Sequence, residues 1–181
     1  MIDLLDPNKR SLMPSEEAVR ELYTAASAES PLSEPEAVAA LFARLYGVAL
    51  EQEEVTAAVS RDDGELTAFA YGHPWRWEEQ QDSWSLELHR KLGSASELLA
   101  ATHVLSLLAR HPRAARSALG SRVLEAWLTG IGGAPVWLQT TDMESPALRL
   151  YEAFGFEPIG HGPDAPNGKP GLVLYRQATP R

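Results

Sequence analysis

Apolar positions along the chain alternate between helical and strand-like spacing. Val19, Leu22, Tyr23 and Ala26 recur three and four residues apart between Pro14 and Ala28, which predicts a helix with one buried face. Ser33-Glu34-Pro35-Glu36 has the form of a capping box. Val38, Leu41, Phe42, Leu45 and Tyr46 then carry a second helix to a stop at Gly47. Ahead of both, Ile2, Leu4 and Leu5 allow a short first strand. Val55 to Arg61 and Leu66 to Tyr71 read as strands joined by a turn at Asp62-Asp63-Gly64-Glu65.

Trp75 to Leu92 places Trp77, Trp84, Leu88 and Leu92 roughly on one side of a third helix, and Leu98 to Ala109 reads as a strand. Leu119, Val123, Leu124, Trp127 and Leu128 predict a helix ended by Gly130, Gly132 and Gly133, before a strand at Val136 to Thr141. Ser145 is an N-cap with Pro146 at the first helical position. Ala147, Leu150, Tyr151 and Phe154 follow on one face, and Gly155 ends the helix. Phe156 to Gly160 and Leu172 to Arg176 form a last pair of strands. This order predicts an α/β domain in which helices cover a mixed central sheet of about six or seven strands. No repeat or linker interrupts it, so a single domain over residues 1–181 is expected.

Composition narrows the field. The chain is 44% apolar and 23% charged, the profile of a globular protein, and it has no Cys, which excludes disulfides, thiolate metal sites and a cysteine nucleophile. No apolar run is long enough to span a bilayer and no signal-peptide pattern opens the chain, so a cytoplasmic protein is expected, with no membrane association. The formal charge of −9 argues against a nucleic-acid partner. Against that background Arg110, Arg113, Arg116 and Arg122 stand close together. They fit either a small anionic ligand or a solvated basic turn.

The segment from Leu107 to Leu128 then reads as strand, anion-cradling loop and helix. The first N–H groups of a helix lack intrahelical partners and its dipole makes that end partly positive. Ala114, Ala115, Ser117, Ala118 and Gly120 are small enough to let phosphate oxygens reach the backbone, and Arg116 and Arg122 can add charge-assisted contacts. Further on, "SPALRLYEAFGFEPIG" spans Ser145 to Gly160. Taken alone, its Tyr151, Gly155 and Phe156 read as core and helix stop.

Together, "HP…R.ALGSRVL", a strand and "A..LYEAFGFE" resemble the GNAT superfamily of N-acetyltransferases. The resemblance covers about Thr102 to Arg176, while the first half matches in order of elements. "YGHPWRW" after the third strand, with the helical insertion behind it, looks like a group of actinobacterial-type members. The resemblance implies the GNAT acyl-CoA N-acyltransferase fold and an enzyme with acetyl-CoA as co-substrate and no metal. The acceptor would be a primary amine of a small molecule or peptide. Homodimers are common in the family, and the sequence leaves the oligomeric state open.

The resemblance also implies site residues. Leu108, Ala109 and Arg110 of the fourth strand would offer backbone groups to the pantetheine arm, and one of its N–H groups would stabilise the tetrahedral oxyanion. Ala115, Arg116, Ser117, Ala118, Leu119, Gly120 and Ser121 would cradle the pyrophosphate. Tyr151 would protonate the departing thiolate, a role suited to a phenol of ordinary pKa about 10. The family loop reads Arg/Gln-x-x-Gly-x-Gly/Ala. Here Ala115 takes the first position and Ala118 the Gly, a change that costs little if the backbone there is helical. Leu107 stands near the place where many members carry a catalytic Glu, which leaves His103, His73 or a relayed water as base. Trp75, Trp77 and Trp84 read either as an acceptor pocket or as core. These departures keep open a relative that binds acyl-CoA, or a protein partner, without turnover.

Overall fold

The computed structural model describes residues 1–28 and 30–179. Strands β1 (Ile2–Leu5), β2 (Thr56–Asp62), β3 (Glu65–Trp75), β4 (Thr102–Arg110), β5 (Val136–Thr141), β6 (Glu157–Gly162) and β7 (Gly171–Arg176) form one sheet in the order β1-β2-β3-β4-β5-β7-β6. The sheet is mixed. β4 and β5 pair in parallel, while β1–β2, β2–β3, β5–β7 and β6–β7 are antiparallel. Helices α1 (Glu16–Ser27), α2 (Glu36–Gln52), α3 (Ser83–Leu92), α4 (Leu119–Gly130) and α5 (Pro146–Ala153) fill the remaining positions, in the chain order that the apolar spacing predicts.

The chain forms two compact units, Met1–His73 with Leu105–Gly132 and Pro74–Val104 with Gly133–Arg181. In the first, α1 and α2 lay Val19, Leu22 and Tyr46 over Val59, Phe69 and Tyr71 of the sheet. Tyr46 meets Phe69 and Tyr71 edge-on at ring distances of 5.2 and 4.9 Å, and its hydroxyl donates to the Pro14 carbonyl. Trp127 of α4 is fully buried and donates its ring N–H to the Thr56 carbonyl at 2.9 Å. In the second unit Leu88 and Leu92 of α3 pack with Trp75, Trp137 and Val173. Gly162 makes that approach possible, because a Cβ there would come within 2.8 Å of a Leu88 methyl.

Several boundaries differ from the sequence expectation. α2 runs through Gly47 to Gln52. Glycine there is a close approach and not a stop, since a Cβ would overlap the Glu16 carboxylate. The capping box does not form. Pro35 is the N-cap of α2, without a side-chain bond, and Ser33 has φ 44°. The expected helix over Trp75–Leu92 begins only at Ser83, where the Asp82 carboxylate accepts from the Ser85 N–H at 2.9 Å. Trp75 ends β3, and Trp77 lies in a 3₁₀ turn, Trp77–Glu79. The expected strand from Leu98 starts at Thr102, after a 3₁₀ segment, Gly93–Leu99, and a left-handed Ala101. Among the described residues no helix is long and apolar enough to cross a membrane.

Candidate functional site

The expected loop after β4 is a 3₁₀ turn, Pro112–Ser117, capped by the His111 ring nitrogen, which accepts from the Arg113 N–H. The turn hands over to α4 through Ala118, held at φ 49°, ψ 26°. That is the left-handed region, where a Cβ crowds the neighbouring carbonyl and glycine is the low-cost residue. The sequence expectation of an inexpensive Ala118 in helical backbone is therefore corrected: the position costs about 1 kcal/mol. The side chains of Ala115, Arg116 and Ser117 lie outside the described residues.

The start of α4 differs from the other four helix starts. α1, α3 and α5 have their first N–H groups capped by Ser15, Asp82 and Ser145, and α2 carries Glu36 in its first turn. α4 has neither a capping side chain nor a carboxylate in its first turn. An uncapped start leaves donors and the positive end of the dipole to be met by something else. Around it, Arg113 is already committed, donating to Glu65 at 2.6 Å; this bond and the charge behind it hold the Glu65 carboxyl below its usual range. Arg110 and Arg122 enter no ion pair or side-chain hydrogen bond among the described residues, so both remain for a ligand. Leu119 is buried and anchors the turn, while Gly120 and Ser121 are half-buried beside it.

On β4 burial alternates from Leu105 to Arg110. Leu107 and Ala109 are buried in the core with Tyr46 and Phe69, and Leu108 and Arg110 on the other face are half-buried. Leu107 is thus a packing residue with no ionisable group.

Tyr151 lies in the other unit, buried on α5 and edge-on to Phe156 at 5.8 Å. Burial pushes its hydroxyl pKa well above the ordinary tyrosine value, because the phenolate would lose its water. The helix is fixed at both ends. Ser145 Oγ accepts from the Leu148 N–H at 3.0 Å, and the Arg176 guanidinium donates to the Phe154 carbonyl at 2.8 Å. That arginine clamp carries no sequence signal; only tertiary structure brings residue 176 to the helix end.

The second unit also holds a concavity of about 540 Å³, lined by Trp75, Trp77, Glu78, Thr102 and His103 among others. Trp75 and Trp77 meet edge-to-face at 5.3 Å. Of the tryptophans weighed as a pocket, Trp84 does not line it: it sits on α3, 40% exposed. Of the two candidate bases, His103 lines the concavity, whereas His73 belongs to the first unit and sits 3.6 Å from the Glu53 carboxylate. Glu78 escaped the sequence reading, hidden in a run of charges. Among the described residues no three His, Asp or Glu side chains gather as a metal site would require.

No family model and no curated protein matches the chain. Solved structures do. A GNAT-family structure from Desulfovibrio desulfuricans aligns over 99% of this chain and 100% of its own, with a TM-score of 0.60 and 16% identity. An aminoglycoside 6'-acetyltransferase type Ii covers 100% and 99%, with a TM-score of 0.58 and 21% identity. The yncA structure from Salmonella typhimurium, with its cofactor acetyl-CoA, covers 100% and 95% at a TM-score of 0.56 and 13% identity. The mixed seven-stranded sheet flanked by five helices is that of the GNAT acyl-CoA N-acyltransferases, and that is the fold of this chain.

Proposed function

We propose that this protein transfers an acetyl group from acetyl-CoA to a primary amine of a small molecule or peptide. The observation that carries the reading is the start of α4, the one α-helix start among the described residues with neither a side-chain cap nor a first-turn carboxylate. Such an end fits a pyrophosphate, and Arg110 and Arg122 supply uncommitted guanidinium groups near it in sequence. The fold supports the same co-substrate, since a structure that shares it carries acetyl-CoA. We further infer, from the aromatic run Tyr71 to Trp77 and the inserted α3, an actinobacterial-type member.

The co-substrate supplies an activated thioester carbonyl. In this reading the backbone of Leu108, Ala109 and Arg110 orients the pantetheine arm, and the turn residues 115–121 hold the pyrophosphate through backbone N–H groups. The acceptor nitrogen adds to the carbonyl carbon as the carbon–sulfur bond breaks. Tyr151 donates its phenolic proton to the departing sulfur, and burial keeps that proton in place at neutral pH. His103, which lines the concavity, takes the proton that the amine nitrogen gives up.

A second reading is favoured by Leu107. With an apolar core residue where the family's Glu is expected, the protein would bind acyl-CoA, or a protein partner, without turnover. Thiol release separates the two cleanly, because the chain has no Cys of its own to react with a thiol reagent. The proposal expects amine-dependent release of free CoA across a panel of primary amines. Acetyl-CoA binding with no release for any amine would overturn turnover and leave the binding reading.

A further inference from the structure

The concavity of the second unit has its own chemistry. Trp77 is fixed on three sides. Its ring N–H donates to the Ser96 carbonyl at 3.0 Å, and its ring meets Trp75 at 5.3 Å and His89 at 4.8 Å, both edge-to-face. A wall so held loses little entropy when a ligand settles on it. The buried ring N–H groups of Trp75 and Trp137 have no hydrogen-bond partner among the described residues. A packed core avoids such donors, and phenylalanine would carry none, so indole rings are kept here at a cost. Indole is also the strongest aromatic partner for a cation.

Two formally charged side chains line the concavity, Arg76 and Glu78. Arg76 is taken up by Glu79, with its Nη1 3.2 Å from the carboxylate. Glu78 lines the concavity, is exposed, and takes part in no ion pair or side-chain hydrogen bond among the described residues. With Arg76 paired to Glu79, Glu78 is the unpaired carboxylate of a lining that also holds two indoles and the small side chains of Ala100 and Ala101. Its volume of about 540 Å³ is that of a small-molecule site. A neutral apolar ligand has no use for the carboxylate, and an anion would be repelled by it.

We propose that this concavity is an organic-cation site that takes a protonated alkylamine, held by Glu78 against Trp75 and Trp77. Resting on the acetyltransferase reading, it receives the acceptor, whose class is then a cationic primary amine with an apolar stem that gives its extra proton to solvent before the nitrogen attacks. The test uses the ¹⁵N-labelled full chain without acetyl-CoA, titrated with n-pentylamine and with 1-pentanol, its neutral counterpart. The five tryptophan ring N–H signals report position. The amine is expected to shift the Trp75 and Trp77 signals and leave Trp127 unmoved, with the alcohol at least about ten-fold weaker, as loss of an ion pair and a cation–π contact implies. Glu78→Gln, at an exposed position, should weaken the amine about five-fold or more and leave the alcohol unchanged. Equal binding of alcohol and amine, or full amine affinity in Glu78→Gln, would overturn the site. A parallel acetyl-CoA titration keeps the two ideas apart. If acetyl-CoA binds and the amine does not, the cation site falls while the transferase reading stands. The converse result keeps the site and removes its acceptor role.

Discussion

Helices α4 and α5 both follow a strand that belongs to the parallel β4–β5 pair, yet they begin in opposite ways. At α5, Ser145 lies in extended backbone, its hydroxyl closes the first turn at 3.0 Å and Pro146 occupies the first helical position. The start is satisfied from within the chain. At α4, a left-handed Ala118 leads into a turn with no capping side chain and no acid. A helix built for stability is closed as α5 is; leaving α4 open forgoes about 1 kcal/mol of capping and adds backbone strain. In the proposed reading, the difference separates a helix that holds a side chain, Tyr151, from one whose end is itself the binding group.

The largest effect should come from the side chain that α5 holds. Tyr151→Phe keeps the packing against Phe156 and removes the proton, so turnover should fall by about 10²-fold or more with acetyl-CoA affinity nearly unchanged. Steady-state kinetics beside direct titration measure both, and an affinity loss matching the rate loss would show a binding role instead. At α4 the reverse split is expected. Arg122→Ala should weaken acetyl-CoA about ten-fold, the value of one charge-assisted contact, and leave thermal stability unchanged, because this exposed guanidinium bonds to no described residue.

The two helix starts should also differ in stability. Ser145→Ala removes the α5 cap and should cost about 1 kcal/mol in denaturant unfolding. Ala118→Gly should stabilise by somewhat less than about 1 kcal/mol, since glycine relieves the positive φ but loosens the unfolded chain. A destabilised glycine variant would mean that Ala118 is not held in the left-handed region.

How far these features could be read beforehand follows from their range. Ser145-Pro146 and the helix after it are local patterns, and the structure has them where the sequence places them. The hairpin turn at Asp63 and Gly64 is equally local, with φ of 47° and 85° at the two residues. The strand nature of Trp75 was hidden because tryptophan spacing imitates a helix, and only burial against Trp137 decides it. Gly47 misled for a related reason: its missing side chain serves Glu16, thirty-one residues earlier in the chain. At the candidate site, the small residues and arginines after β4 were legible. The left-handed Ala118, the commitment of Arg113 to Glu65 and the clamp of Arg176 on Phe154 were not, since each depends on tertiary contact or on a backbone angle that composition does not encode.

The open start of α4 carries the proposed function, and calorimetric titration of the full chain with acetyl-CoA tests it most directly. One site per chain is predicted, with affinity that falls as salt is raised, because the contact is between phosphates and positive groups. Substituting Ala118→Asp, which sets a carboxylate at the helix start, should weaken that binding further. Absence of binding at high micromolar acetyl-CoA would contradict the account.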